Sequence, residues 1–290
     1  GKKKMNFNLQ SIISVSYKKY FFGFLKHSLF VILSIITLFP IYFIIVSSFK
    51  SKEEYTINKL FFPNYPTMQN FLQILSNNTF LKWFANSLIL TLGSIILSLI
   101  FTFFAAYAFS KMKFCGRNLI LNIIISLMVI PPILMVLPLF KLMANINMIN
   151  NYVSVIFIYT GLLLPFSIYL LTNFFITIPN SFLESARIDG CSDARVLINI
   201  ILPLSKAPII TLIVVNTVWV WSELLIALVF LQSEKMKTIM VGIAFFKSKY
   251  SVNIPVSMAA MLLATIPMLT LYIFGQRYFI RGITAGGIKG

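Results

Sequence analysis

Six stretches of the chain are apolar over a length that crosses a bilayer: residues 29–49, 84–109, 119–140, 152–178, 207–231 and 256–280. A transmembrane helix needs roughly 20 mostly apolar residues, at about 1.5 Å of rise each, to cover a hydrocarbon core of about 30 Å. Polar residues separate the runs, and one interval, 179–206, has a helical period of its own. The pattern predicts an all-α membrane protein of six transmembrane helices. An N-terminal segment spans 1–28, a six-span domain 29–281 and a tail 282–290. The first run follows Lys18, Lys19 and Lys26, as a signal peptide would. Yet its apolar length exceeds the roughly 7 to 15 residues of such a region, and Ser47-Ser48-Phe49-Lys50 offers no small-x-small cleavage site, so it reads as a retained span. The chain opens Gly1-Lys2-Lys3-Lys4 with its first methionine at Met5, which leaves the natural start open.

Composition agrees. Hydrophobic residues make up 59% and charged residues 11%, against about 25% charged in soluble chains, too little polar surface to cover a globule. Two cysteines and one histidine exclude a disulfide framework and the usual Cys/His zinc site, and seven acidic residues are too few for a carboxylate cage. The net charge of +17 would fit nucleic acid, but the basic residues lie between apolar runs and not in a patch. With the N-terminus inside, fifteen of the 24 Lys and Arg fall on inner segments and nine on the longer outer ones. That bias predicts both termini cytoplasmic, with Cys115 and Cys191 as free thiols on the reducing side. Lone His27 carries no role in this reading. Pro40, Pro131, Pro132, Pro138, Pro165 and Pro267 interrupt the spans; the carbonyls they free need partners, from ordinary packing or along an internal pathway.

The interval 179–206 is too long for a connector. Ser181 followed by Glu184 has the spacing of a capping box, Gly190 can end that helix in the left-handed conformation, and Ser192 can cap a second. Val196, Leu197, Ile200 and Ile201 then line one face before Pro203 stops it. Such an amphipathic helix-turn-helix either lies on the membrane surface or docks another protein. Glu184, Arg187, Asp189, Asp193 and Arg195 sum to minus one, and a membrane-surface helix is expected to be basic, which favours docking.

The residues also carry a resemblance. Glu184-Ser185-Ala186, Gly190 four residues later, and Ile200, Leu202 and Pro203 at fixed spacing resemble the EAA loop of binding-protein-dependent ABC importer permeases, with Ser185 in place of an alanine. Ala186 to Gly190 and Leu202 to Lys206 are similar to the carbohydrate-uptake branch. Trp219-Val220-Trp221-Ser222-Glu223-Leu224-Leu225 resembles that branch's W-N-E segment, with Ser222 for asparagine. Residues 276–290 are similar to the tail of the maltose-type second permease, and Pro63 to Thr67 and Asn86-Ser87-Leu88 also fit. The likeness covers most of the chain beyond about residue 29 and leaves out the lysine-rich start.

It implies the type I ABC importer permease fold and a sugar-permease subunit, one half of a heterodimeric pathway in the bacterial cell membrane. The implied partners are a second homologous permease, two ATPase subunits and an extracytoplasmic solute-binding protein that carries much of the specificity. No cofactor is implied on this chain, since ATP and Mg²⁺ belong to the ATPases; indeed no G-x-x-x-x-G-K-[ST] loop occurs here. The implied ATPase-coupling residues are Glu184, Ser185, Ala186, Asp189, Gly190, Leu202 and Pro203, with Ala186 and Asp189 expected to face the ATPase. Glu184 reads equally as a cap and as a salt link. Ile288, Lys289 and Gly290 read as a frayed end or, by resemblance, as a tail reaching the ATPase.

Glu223 is the one acidic residue inside a predicted span, so it is a candidate for the pathway, with Asn216 on the same face and Trp219 and Trp221 to stack on sugar rings. A structural bond to a neighbouring helix is the other reading. A membrane-embedded enzyme would need clustered nucleophiles or acids in the spans and finds none. An ion-coupled secondary transporter remains as a different class, without a sequence repeat to support it. A permease for glycerol-phosphate or another small polar solute is the alternative within the family; Arg277 alone among arginines falls in a span.

Overall fold

A computed structural model describes residues 2–76, 78–249 and 253–287, with side chains described over 23–76, 78–245 and 253–276. Among these residues all regular structure is helical. Two compact units emerge: Gly1–Phe71 with Asn253–Leu262, and Leu72–Val252 with Leu263–Gly290.

In the first unit α1 (Lys2–Ser48) runs 47 residues through Pro40, and its stretch Gly23–Ser48 has the length and apolarity of a span. Ser51 caps α2 (Lys52–Ile57) by accepting the Glu54 N–H at 3.1 Å, and Glu53 and Glu54 sit at the helix's positive end. The segment beyond α1 folds around Lys50, which is fully buried. Its ammonium donates to the Asn58 carbonyl at 2.8 Å, and Asn70 on α3 (Gln69–Leu75) donates to the carbonyls of Ser48 and Lys50 at 2.8 Å each. Burial pushes the Lys50 pKa down, and nearby Glu54 pulls it back up.

In the second unit α4 (Asn78–Lys111) is a 34-residue span carrying a row of buried small polar residues, Thr91, Ser94, Ser98 and Thr102. The third apolar run, read from the sequence as one span over 119–140 interrupted by prolines, is sharply broken. It forms α5 (Arg117–Ser126), a 3₁₀ turn at Leu127–Val129 and α6 (Pro132–Asn145), and the two limbs meet at 103°. The adjacent prolines are the cause: each pushes the residue before it into extended backbone, and Ile130 (ψ 116°) and Pro131 (ψ 131°) both adopt it.

Next comes α7 (Tyr152–Thr177), capped by Asn151 and packed along α4. Gly93 permits the close approach, since a Cβ there would lie 2.8 Å from Ile156. After α8 (Asn180–Ile188) and α9 (Asp193–Val196), a π-turn at Leu197–Ile201 and α10 (Leu202–Leu204) lead into α11 (Lys206–Ser222) through an 81° bend. The fifth run, read from the sequence as a helix over 207–231, breaks at Glu223 and resumes as α12 (Leu225–Phe230). Then follow α13 (Ile239–Lys249) and α14 (Ile254–Gly287), whose stretch Ile254–Gln276 is the sixth candidate span.

Asn86 on α4 holds the segment before α13 in place. Its amide donates to the carbonyls of Lys235 and Lys237 at 2.9 Å each, and its oxygen accepts from the Tyr152 hydroxyl at 2.8 Å. Ser87 accepts the Ile239 N–H at 2.9 Å. These bonds give the Asn86-Ser87 pair of the sequence a structural reason.

Candidate functional site

The interval 179–206 closes one end of the second unit. Leu183 and Ala186 of α8 and Val196, Leu197 and Ile201 beyond it are buried with Ala106, Tyr107, Leu171, Phe175 and Leu212 from α4, α7 and α11. The opposite face of α8 is exposed and mixed in character: Phe182, Glu184, Ser185, Ile188 and Asp189. Ile188 keeps 86% of its surface open, an unusual cost for an isolated helix face in water.

Both ends of α8 are fastened. At its start the Lys111 ammonium donates to the Ile178 carbonyl and to the Asn180 side-chain oxygen, the latter at 3.0 Å. At its end Gly190 takes φ +79°, the Cys191 N–H reaches the Ala186 carbonyl at 2.9 Å, and the Gly190 N–H reaches Arg187 at 3.0 Å. That pair of bonds is a Schellman cap, and the left-handed residue at its heart is the reason for glycine there. Beyond the turn, Arg187 and the Tyr107 hydroxyl donate to one oxygen of Asp193, at 2.8 and 3.0 Å. Those bonds, Arg187 first, hold the Asp193 carboxyl below its usual range.

Three expectations change. The capping box is not formed: α8 starts two residues earlier, with Pro179 at the N-cap, and no bond to the Glu184 side chain is seen among the described residues. Proline pre-sets the extended entry that a serine cap would otherwise secure. Ala186 does not face outward. It is 7% exposed and packs into the chain's own core, so its small size serves the seat of α8. Pro203 does not stop the second helix, which carries on as a π-turn and one α-turn to break at Ser205. Ser192 stands at the N-cap of α9 as expected, without a side-chain bond. Ile288, Lys289 and Gly290 lie outside the described residues.

The second candidate group divides. A cavity of about 590 Å³ lies among the bent third span, α7 and α11, lined by Met135, Leu139, Gly161, Pro165, Asn216 and Trp219 among others. Asn216 is the one amide side chain in that wall, and it donates to Ser167 on α7 at 3.1 Å. Trp219 meets Tyr159 edge-on at 5.9 Å between centroids. Trp221 turns away from the cavity: it is 4% exposed, donates to the Ala264 carbonyl at 3.1 Å and packs edge-on against Phe84. Glu223 is not in the cavity wall either. One oxygen accepts the Ile226 N–H at 2.8 Å; the other accepts the Ala227 N–H at 3.1 Å and the Tyr159 hydroxyl at 2.6 Å. It caps α12 and ties the break to α7, the structural one of its two readings.

Tyr107, Lys111 and the Arg187–Asp193 pair are not among the residues that sequence reasoning singles out. Tyr107 and Lys111 stand four apart at the end of a span, a legible helical spacing. The Arg187–Asp193 pair spans a glycine bend, which helical periodicity does not bridge. Among the described residues no group of three His, Cys, Asp or Glu could hold a metal.

Comparison with known proteins gives a consistent result. The family model described as "Binding-protein-dependent transport system inner membrane component" matches residues 98–285. An ABC transporter permease protein, ORF2, of Caldicellulosiruptor sp. (strain Rt8B.4) is 37% identical over 94% of this chain and 98% of its own. The trehalose/maltose transport system permease protein MalG of Thermococcus litoralis is 32% identical over 90% of this chain and 94% of its own. Among solved structures, a chain of a bacterial ABC transporter involved in the import of the acidic polysaccharide alginate superposes with a TM-score of 0.81. It is 25% identical, over 89% of this chain and 96% of that one.

Proposed function

The chain belongs to the binding-protein-dependent transport system inner membrane components, and from that premise we propose that it is one permease subunit of an ATP-driven importer of sugars, oligosaccharides foremost. It contributes half of a translocation pathway, pairs with a second permease, and receives substrate from an extracytoplasmic binding protein. ATP and Mg²⁺ are held by two ATPase subunits, and this chain performs no catalysis. The end of the second unit that carries α8 faces the cytoplasm, as do both termini.

The observation that carries this reading is the seating of α8. A nine-residue helix is capped, fastened to α4 through Lys111 and buried along one face, yet it exposes Phe182, Glu184, Ser185 and Ile188 on the other. Nothing in a lone monomer needs that exposed face; a cleft on an ATPase would cover it. Seated there, the helix transmits ATPase closure to α7 and α11, at whose ends it is rooted, and a short stiff helix loses little of the displacement in bending. The cavity beside Asn216 and Trp219 is this chain's share of the pathway wall.

The test is reconstitution. The chain with its partner permease, ATPases and binding protein in proteoliposomes should accumulate sugar only when ATP is supplied. Solute accumulation by the purified chain alone on an ion gradient would overturn the reading.

A further inference from the structure

The segment between α2 and α3 exposes more apolar surface than a water-facing loop should. Phe61 is 76% exposed, Phe62 70% and Tyr65 85%. It also folds back along α1. The Tyr42 hydroxyl donates to the Leu60 carbonyl at 2.9 Å, and the Tyr42 ring meets Phe62 edge-on at 5.5 Å.

Tyr42 fixes the level. It lies six residues inside Ser48, the end of the span Gly23–Ser48, or about 9 Å along the helix axis. Centred on that span, a hydrocarbon half-thickness of about 15 Å reaches some three residues past Tyr42. Side chains on a helix lean toward its N-terminus, which here is deeper. Leu38, Phe39 and Ile41 of α1 are themselves exposed near this level, and the Phe39 ring lies 6.4 Å from the Tyr42 ring that meets Phe62.

Irregular backbone at that depth needs partners for its polar groups, and this segment supplies several from within. The Asn58 side chain accepts the Phe61 N–H at 3.0 Å and donates to the Phe62 carbonyl at 3.1 Å. Glu54 accepts the Asn64 N–H, and buried Lys50 takes the Asn58 carbonyl. Lys59, exposed beside Leu60, can extend its ammonium to lipid phosphates.

We infer that residues 57–66 form an aromatic anchor wedged into the leaflet that surrounds the Ser48 end of α1, with Phe61, Phe62 and Tyr65 in contact with phospholipid. It fixes the level and tilt of the first span as aromatic belts do. The inference rests on the membrane span alone and is independent of the transported solute.

Photocrosslinking in the intact transporter tests it. Benzoylphenylalanine is placed at Phe61 or at Tyr65, with Leu38 as the lipid-facing control and Lys52 as the water-facing one, in phosphatidylethanolamine/phosphatidylglycerol vesicles with binding protein present. Phospholipid adducts at 61 and 65 in yields comparable to Leu38, and their loss at Lys52, are expected. Adducts to the binding protein in place of lipid would overturn the anchor and make the loop a protein-docking surface. Lipid adducts at Leu38 alone would overturn it equally.

Discussion

The hydroxyl of Tyr159 on α7 donates to the Glu223 carboxylate at 2.6 Å, and the break between α11 and α12 is held by that bond and the two amides Glu223 accepts. Hydrogen bonds to charged groups contribute about 1.5–3 kcal/mol. Tyr159→Phe should therefore lower the thermal midpoint of the assembled transporter while leaving the KM for sugar unchanged. Glu223→Ala should lower the midpoint further, because it also leaves two amides without an acceptor. A cycle of the two variants should be non-additive in thermal unfolding. A KM shift without loss of stability would return Glu223 to the pathway.

Gly190 sits at φ +79° with its N–H bonded to Arg187. Gly190→Ala meets open space and pays only the backbone penalty of about 1 kcal/mol. Gly190→Pro cannot reach that φ and loses the bond, so uptake should vanish at unchanged membrane levels. Glu184→Lys should do the same by reversing charge on the exposed face of α8. Uptake assays in cells at matched expression check both.

The Arg187–Asp193–Tyr107 clasp has a definite pH sense. Asp193 is held below the ordinary carboxylate value, so the clasp is complete above about pH 4 and is lost as pH falls through the depressed folded value. Hydrogen exchange of the amides of residues 187–196, corrected for intrinsic rate, should be flat from pH 7 to about 5. Asp193→Asn should raise it already at pH 7, and Tyr107→Phe by less.

Gly242 on α13 has the Trp83 ring against its backbone: a Cβ would fall 2.1 Å from the ring carbons. Overpacking of this kind costs about 1–3 kcal/mol. Gly242→Ala should lower the unfolding midpoint, and Trp83→Leu in the same chain should recover part of the loss.

Gly161 lines the cavity with nothing within 4 Å of a built Cβ. Gly161→Ala should be tolerated, helped by better helix propensity. Gly161→Trp should fold and assemble but block sugar uptake, while basal ATP hydrolysis continues.

Apolar length is a strong signal: the helical stretches Gly23–Ser48, Asn78–Lys111, Tyr152–Thr177 and Ile254–Gln276 overlap four of the six runs. What the runs hide are breaks inside them. Pro131-Pro132 announced a kink, but a limb angle of 103° depends on the packing of α6 against α7 and α12. The break at Glu223 has no proline to mark it; there a carboxylate capping downstream amides looks, in sequence, like an intramembrane charge. Gly190 was readable because a left-handed position selects for glycine. The inward turn of Ala186 was not, since EAA spacing is blind to which side of α8 the bundle takes.

Lys111 brings the last turn of α4 onto the two residues that flank Pro179, where α7 ends and α8 begins. A displacement arriving at α8 therefore meets two long helices yoked at one ammonium, already interlocked at Gly93 and Ile156. Such a yoke favours movement of both members together. The pair is expected to swing as one strut, hinging at the proline and glutamate breaks on either side.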